Sequence, residues 1–107
     1  MAKQKALILG QDCTITEVEY DEKDSYPVMR DAVGGMIESV SYWTKNIDAY
    51  VNEEGLYTPS LLPNPFAANI RQRWMGNIVI PRITPTKITR LQNLGLFTEH
   101  DYARATR

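Results

Sequence analysis

Glycine and proline set the limits on what this chain can become. Gly34, Gly55, Gly76 and Gly95, with Pro27, Pro65, Pro81 and Pro85, fall at intervals that leave little room for a long helix or strand. Proline has a fixed φ and no N–H, so it starts or stops an element. Glycine ends elements because it enters the left-handed region without strain. Short elements are stable only when they share a core. The chain has 107 residues, 43% hydrophobic and 23% charged, which fits one globular domain. A single cysteine, Cys13, excludes a disulfide within the chain and a cysteine metal cluster. That usage fits a reducing cytoplasm, and Cys13 reads as a small, partly buried residue near a turn. His100 is the lone histidine, so any Ser-His pair would rest on it.

The run "KALIL" (residues 5–9) reads as a buried strand. It is too short for a signal-peptide core, so no export is expected, and no segment approaches a membrane span. "TITEVEY" (14–20) reads as a strand with one wet face, and "DEKDS" (21–25) as an acidic loop. "SYPVMRDAVGG" (25–35) has the ends of a helix: Ser25 as cap, Pro27 in the first turn and Gly34 as the left-handed stop. Its stripe of Val28, Met29, Ala32 and Val33 would pack on a sheet.

Residues 36–51 read as a β-hairpin, with strands at 36–43 and 47–51 joined by the three-residue loop "TKN". A turn at 52–55 follows, with Gly55 supplying a positive φ. The next helix has Asn64 as N-cap, Pro65 at its first position, a stripe of Phe66, Ile70 and Trp74, and Gly76 as its end. "NIVIP" (77–81) is a strand stopped by proline. Two short helices close the chain, one capped by Thr84 and ended by Gly95, the other capped by Thr98 with Asp101 completing the box. Ile88, Leu91, Leu94, Leu96, Phe97 and Tyr102 would form a small satellite core. The fold class is therefore α+β: a small, mostly antiparallel sheet of about five strands, two packing helices and a C-terminal helical hairpin. The division expected is an α+β domain over 1–82 and an appended hairpin over 83–107.

Charge is unevenly shared. Residues 1–55 carry five Lys/Arg against eleven Asp/Glu, a net of −6; residues 56–107 carry seven against two, a net of +5, for a total of −1. Halves of opposite sign suit either partner surfaces or attraction within the molecule.

Three kinds of chemistry are open. Glu38, Asn52, Glu53, Asn64 and Asn77 place carboxylates and amides where a polar ligand or nucleotide could bind, with or without turnover. Glu38 and Asn52 would lie near each other on paired strands. The structural alternative is solvated carboxylates and a capping Asn64. Leu91, Leu94, Leu96, Phe97 and Tyr102 form an interaction surface if the tail packs on another chain, a second copy being favoured. Arg71, Arg73, Arg82, Lys87, Arg90, Arg104 and Arg107, with Trp74 and Tyr102 for stacking, would suit nucleic acid, though an overall charge of −1 does not favour it. Gly34-Gly35 lacks the context of a phosphate loop, and the carboxylates lack the spacing of a calcium loop. No catalytic residue, metal or cofactor is assigned.

The pieces "VGGMIESV", "VNEEG", "LPNPFA" and "MGNIVI" occur in an order that resembles a small phage- and plasmid-associated family, the domain of unknown function 3846. The matching residues are Val33, Gly34, Gly35, Ile37 and Glu38; Asn52, Glu53, Glu54 and Gly55; Pro63, Asn64 and Ala67; and Gly76 and Asn77, within about residues 5–82. The resemblance implies a phage or mobile-element origin and a common surface for Glu38, Asn52, Glu53 and Asn64. It brings no established activity. The tail "ITRLQNLGLFTEHDYARA" resembles a short helical-hairpin docking pattern, with His100 and Asp101 in place of two glutamates. The expectation is a non-enzymatic phage-type accessory protein that binds a host protein or its own copies in the host cytoplasm, without a membrane.

Overall fold

The computed structural model describes residues 3–105. Strands β1 (Lys3–Leu9) and β2 (Ile15–Asp21) pair along their whole length, Lys3 opposite Asp21 and Leu9 opposite Ile15. The turn between them is tight: Gly10 N–H donates to Thr14 O at 2.7 Å. Cys13 sits in this turn with φ 71° and is exposed, not partly buried as expected.

Helix α1 (Ser25–Val33) stops where the glycine predicts, with Gly34 at φ 79° and the Gly34 and Gly35 N–H groups on Arg30 O. Ser25 is the first helical residue and not the cap; Asp24 holds the cap position without a side-chain hydrogen bond. Met29 and Val33 are buried against Ala6, Tyr20 and Val79, with Val28 and Ala32 beside them.

The expected hairpin is much smaller than its sequence suggests. Strands β3 (Ile37–Ser39) and β4 (Tyr50–Asn52) have three residues each. Residues 40–49 form one long connection that includes a single 3-10 turn at Ser41–Trp43, so "TKN" is no hairpin loop. Val40 N donates to Ala49 O at 2.9 Å and Ser41 Oγ accepts from Ala49 N at 3.0 Å, which closes this connection just beyond the paired strands.

Helix α2 (Pro65–Asn69) has five residues where about twelve were expected. Asn64 caps it as predicted, accepting from Phe66 N at 2.9 Å and Ala67 N at 3.3 Å. The helix ends because Arg71 takes φ 61°. Trp74 is nonetheless buried, reached through a loop and not through a fourth-residue stripe, and Gly76 (φ 80°) belongs to a later turn. Gly55 has no positive φ; a Cβ there would come within 2.9 Å of Met75 Cβ, so its role is steric.

Strand β5 (Ile78–Ile80) completes one antiparallel sheet in the order β2-β1-β5-β4-β3. Its central place explains why all three residues are buried: Val79 faces the α1 layer, Ile78 and Ile80 the other. That second layer is built from α2, the loop bearing Trp74, and the tail. Helix α3 (Pro85–Asn93) is capped by Thr84, which accepts from Lys87 N, and is followed by Gly95 at φ 89°. Helix α4 (Glu99–Ala105) begins with the expected reciprocal pair, Thr98 N to Asp101 Oδ2 and Asp101 N to Thr98 Oγ1.

The tail is not a satellite. Leu91, Leu96 and Phe97 join Leu7, Leu9 and Ile80 in the main core, so no break in the core falls at residue 82. The Tyr102 phenol stacks on Phe97, 6.1 Å between centroids, and donates to Glu17 Oε2 on β2. Residues 106–107, the end of the expected hairpin, lie outside the described residues.

Candidate functional site

The three asparagines work inside the fold. α1 ends with carbonyls that have no helical partner, and side-chain amides from the sheet meet two of them. Asn52 Nδ2 donates to Val33 O at 3.1 Å, and Asn77 Nδ2 donates to Ala32 O at 3.0 Å. Asn52 Oδ1 accepts from Glu54 N at 2.8 Å and Asn77 Oδ1 from Gln11 N at 3.0 Å. Gly35 permits this approach, since a Cβ would stand 2.8 Å from Asn52 Nδ2. Asn64 is 1% exposed. Its Nδ2 donates to Leu9 O at 2.9 Å and Gly76 O at 2.8 Å, while Oδ1 caps α2. Its hydrogen-bonding capacity is spent on the chain, leaving none for a ligand.

Glu38 and Asn52 do not face each other. Ile37 is opposite Asn52 and Glu38 is opposite Val51, so alternation puts the two side chains on opposite faces of the sheet. Asn52 turns its amide to α1. Glu38 lies on the Val51 side, where it and Glu53 open onto a cleft of about 150 Å³ walled by Val51, Trp74 and Met75, with Arg73 and Leu56 also lining it. Of the five polar residues singled out in the sequence, Glu38 and Glu53 open onto one cleft; Asn52 also lines it, but its amide is spent on Val33 O and Glu54 N. Asn64 is beneath the surface, and Asn77 lines a separate cleft between the β1–β2 turn and α1.

A feature without helical or strand periodicity lies beside the Glu38 cleft. Leu56, Tyr57 and Leu62 are 73%, 84% and 55% exposed, on a loop that is fixed along its length. Tyr57 N and Thr58 Oγ1 both donate to Glu54 O at 2.9 Å. Leu61 N donates to Thr58 O, Leu62 N to Gln11 Oε1 at 3.0 Å, and Gln11 Nε2 to Ser60 O at 3.3 Å. Beyond it, Pro63 bridges to Met75 and Gly76 N donates to Leu62 O. These three exposed apolar side chains on one hydrogen-bonded loop are termed the ridge. Sequence reading passed over them; the available signal was an apolar pair, Leu56-Tyr57, that fits no stripe.

The residues expected to form a tail interface are mostly inside. Leu91, Leu96 and Phe97 are buried in this chain's own core and Tyr102 is half-buried, so among them only Leu94, 43% exposed, presents an apolar surface. Burial, then the hydrogen bond and charge of Glu17, push the Tyr102 pKa up to about 12. The basic residues do not gather into one patch either. Arg82 is bound to Glu22 and Asp48, both at 2.9 Å, Lys87 Nζ donates to Arg82 O, and Arg90 donates to Thr44 Oγ1. Arg71, Arg73 and Arg104 are exposed; Arg107 lies outside the described residues. Among the described residues no group of three or more His, Cys, Asp or Glu is placed to hold a metal ion, and no helix is long and apolar enough to cross a membrane.

A family model described as domain of unknown function (DUF3846) matches residues 4–94. The chain belongs to this family. The DUF3846 match extends past β5 into α3, in keeping with a core that the tail helps to build. Comparison of this DUF3846 chain with curated proteins and with solved structures finds no match.

Proposed function

We propose that this DUF3846 domain is a non-catalytic binding module, a phage-type accessory protein that acts in the host cytoplasm by engaging a host protein through the ridge of Leu56, Tyr57 and Leu62. The observation that carries the reading is the exposure of these side chains on a loop pinned by hydrogen bonds at both ends. A preordered apolar surface loses little conformational entropy on binding, and Tyr is among the residues that dominate interface energies. A foreign partner is favoured over a second copy. In a two-fold contact the same patch meets itself, which would gather Glu53 and Glu54 of both copies into one interface. The phage setting comes from the resemblance of the four glycine- and asparagine-bearing pieces.

The test is photo-cross-linking in expressing bacteria, with a photoreactive phenylalanine analogue at position 57 and, as control, at position 94. A discrete adduct from position 57, absent from position 94 and lost when Leu56→Ser and Leu62→Ser are added, supports the reading. Absence of an adduct, or equal adducts from both positions, overturns it.

A further inference from the structure

We propose that the cleft beside the ridge receives one apolar side chain from a lysine- or arginine-rich segment of the bound protein; the inference rests on the ridge being the contact surface. Two features carry it. The first is size and lining. A space of about 150 Å³ is the size of cavity that admits a single benzene-sized group, and Val51, Trp74, Met75 and Leu56 give it apolar walls. The second is charge. Exposed Glu38 and Glu53 line the cleft together with one cation, Arg73, and exposed Glu54 follows Glu53 in the chain. Neither Glu38 nor Glu53 forms an ion pair among the described residues. Two carboxylates outside any ion pair, lining a cleft that also has apolar walls, select a partner whose apolar residue is flanked by cations. Trp74 is part of the cleft wall, so its indole N–H signal reports what enters.

A segment with these properties has an apolar anchor and positive neighbours. It differs from a small anion, which two carboxylates would repel, and from a nucleic acid, whose phosphates they would also repel. The chain's own second half is basic, so a second copy is the competing occupant, and the experiment separates the two.

The indole N–H signals of Trp43 and Trp74 are followed in a proton–nitrogen spectrum of the full chain, with Trp43→Phe giving the assignment. The probes are short synthetic peptides with one central Leu or Phe between lysines, the same peptides with glutamates in place of lysines, and the lysine peptides with the central residue replaced by Ser. The lysine peptides with Leu or Phe should shift the Trp74 signal, and the other two sets should leave it in place. Glu38→Lys with Glu53→Lys, both exposed, should weaken that binding by about tenfold or more. A Trp74 signal unmoved by every peptide overturns the proposal, as does equal binding of lysine and glutamate peptides, or binding indifferent to the two glutamate substitutions. A Trp74 signal that instead moves with the protein's own concentration assigns the cleft to a second copy and overturns the foreign segment. None of these outcomes decides the ridge, which the cross-linking at position 57 tests separately.

Discussion

The tail and the 53–62 loop carry similar apolar residues and treat them in opposite ways. In the tail, Leu91, Leu96 and Phe97 are drawn into the main core beneath β1 and β5. In the loop, Leu56, Tyr57 and Leu62 stay in water although the loop is hydrogen-bonded to the body of the domain. The contrast separates two explanations for an exposed apolar residue. A floppy segment exposes such residues because nothing orders it. This loop is ordered by contacts to β1's turn, to Asn52 and to Met75, and still directs three large side chains outward. Burial in the tail stabilises the fold; exposure in the loop leaves surface for something else.

The first way to break the comparison is to empty the tail's part of the core. Phe97→Ala should cost about 3–5 kcal/mol, a large fraction of the stability of a domain of this size. A thermal melt reads it: a marked fall in melting temperature is expected, and an unchanged melt would show that the tail is an appendage after all.

Asn64→Ala should come next. It removes a cap from α2 and leaves the carbonyls of Leu9 and Gly76 without their donor, at a cost of about 3 kcal/mol. Chemical denaturation should show a lowered midpoint. If stability holds, Asn64 is not the internal tie described, and a ligand role for it regains ground.

Tyr102→Phe should have a smaller effect, and a pH-dependent one. The folded Tyr102 pKa is raised to about 12, above the ordinary value of about 10 for an unfolded chain. The folded state then holds the proton more tightly than the unfolded state. The stabilisation is fully present below about pH 10 and is lost as pH rises towards the folded value. Melts of wild type and Tyr102→Phe should differ at neutral pH and converge between about pH 10 and 12. A constant gap across that range would contradict the Tyr102–Glu17 contact as the cause.

Much of this fold could be read from the residues. Gly34 and Gly95, the caps at Asn64 and Thr84, and the Thr98–Asp101 pair all act through neighbours a few positions away, and all appear as expected. The misreadings share a cause: tertiary contacts overrode a local pattern. Phe66, Ile70 and Trp74 are spaced as on a helix, yet a left-handed Arg71 breaks it and long-range packing still buries Trp74. Residues 36–51 alternate like two strands, but only three residues on each side pair. At the candidate site, the asparagines were legible as special positions but not as ties to the end of α1, because the carbonyls they satisfy lie 19 and 45 residues away. The ridge follows no period, so a reading based on periodicity had no signal for it.

The smallest expected effect on stability belongs to the ridge, and it gives the most direct test of the central claim. Leu56→Ser with Leu62→Ser, in a chain carrying the photoreactive group at position 57, is measured in two ways: its melting temperature and its cross-linked adduct in expressing cells. Substitutions at exposed positions that make no structural contact should change stability by no more than about 0.5 kcal/mol each. The predicted result is a nearly unchanged melt and the loss of the adduct. A collapsed melt would make the ridge part of the core, and a persistent adduct would place the contact surface elsewhere; either result contradicts the account.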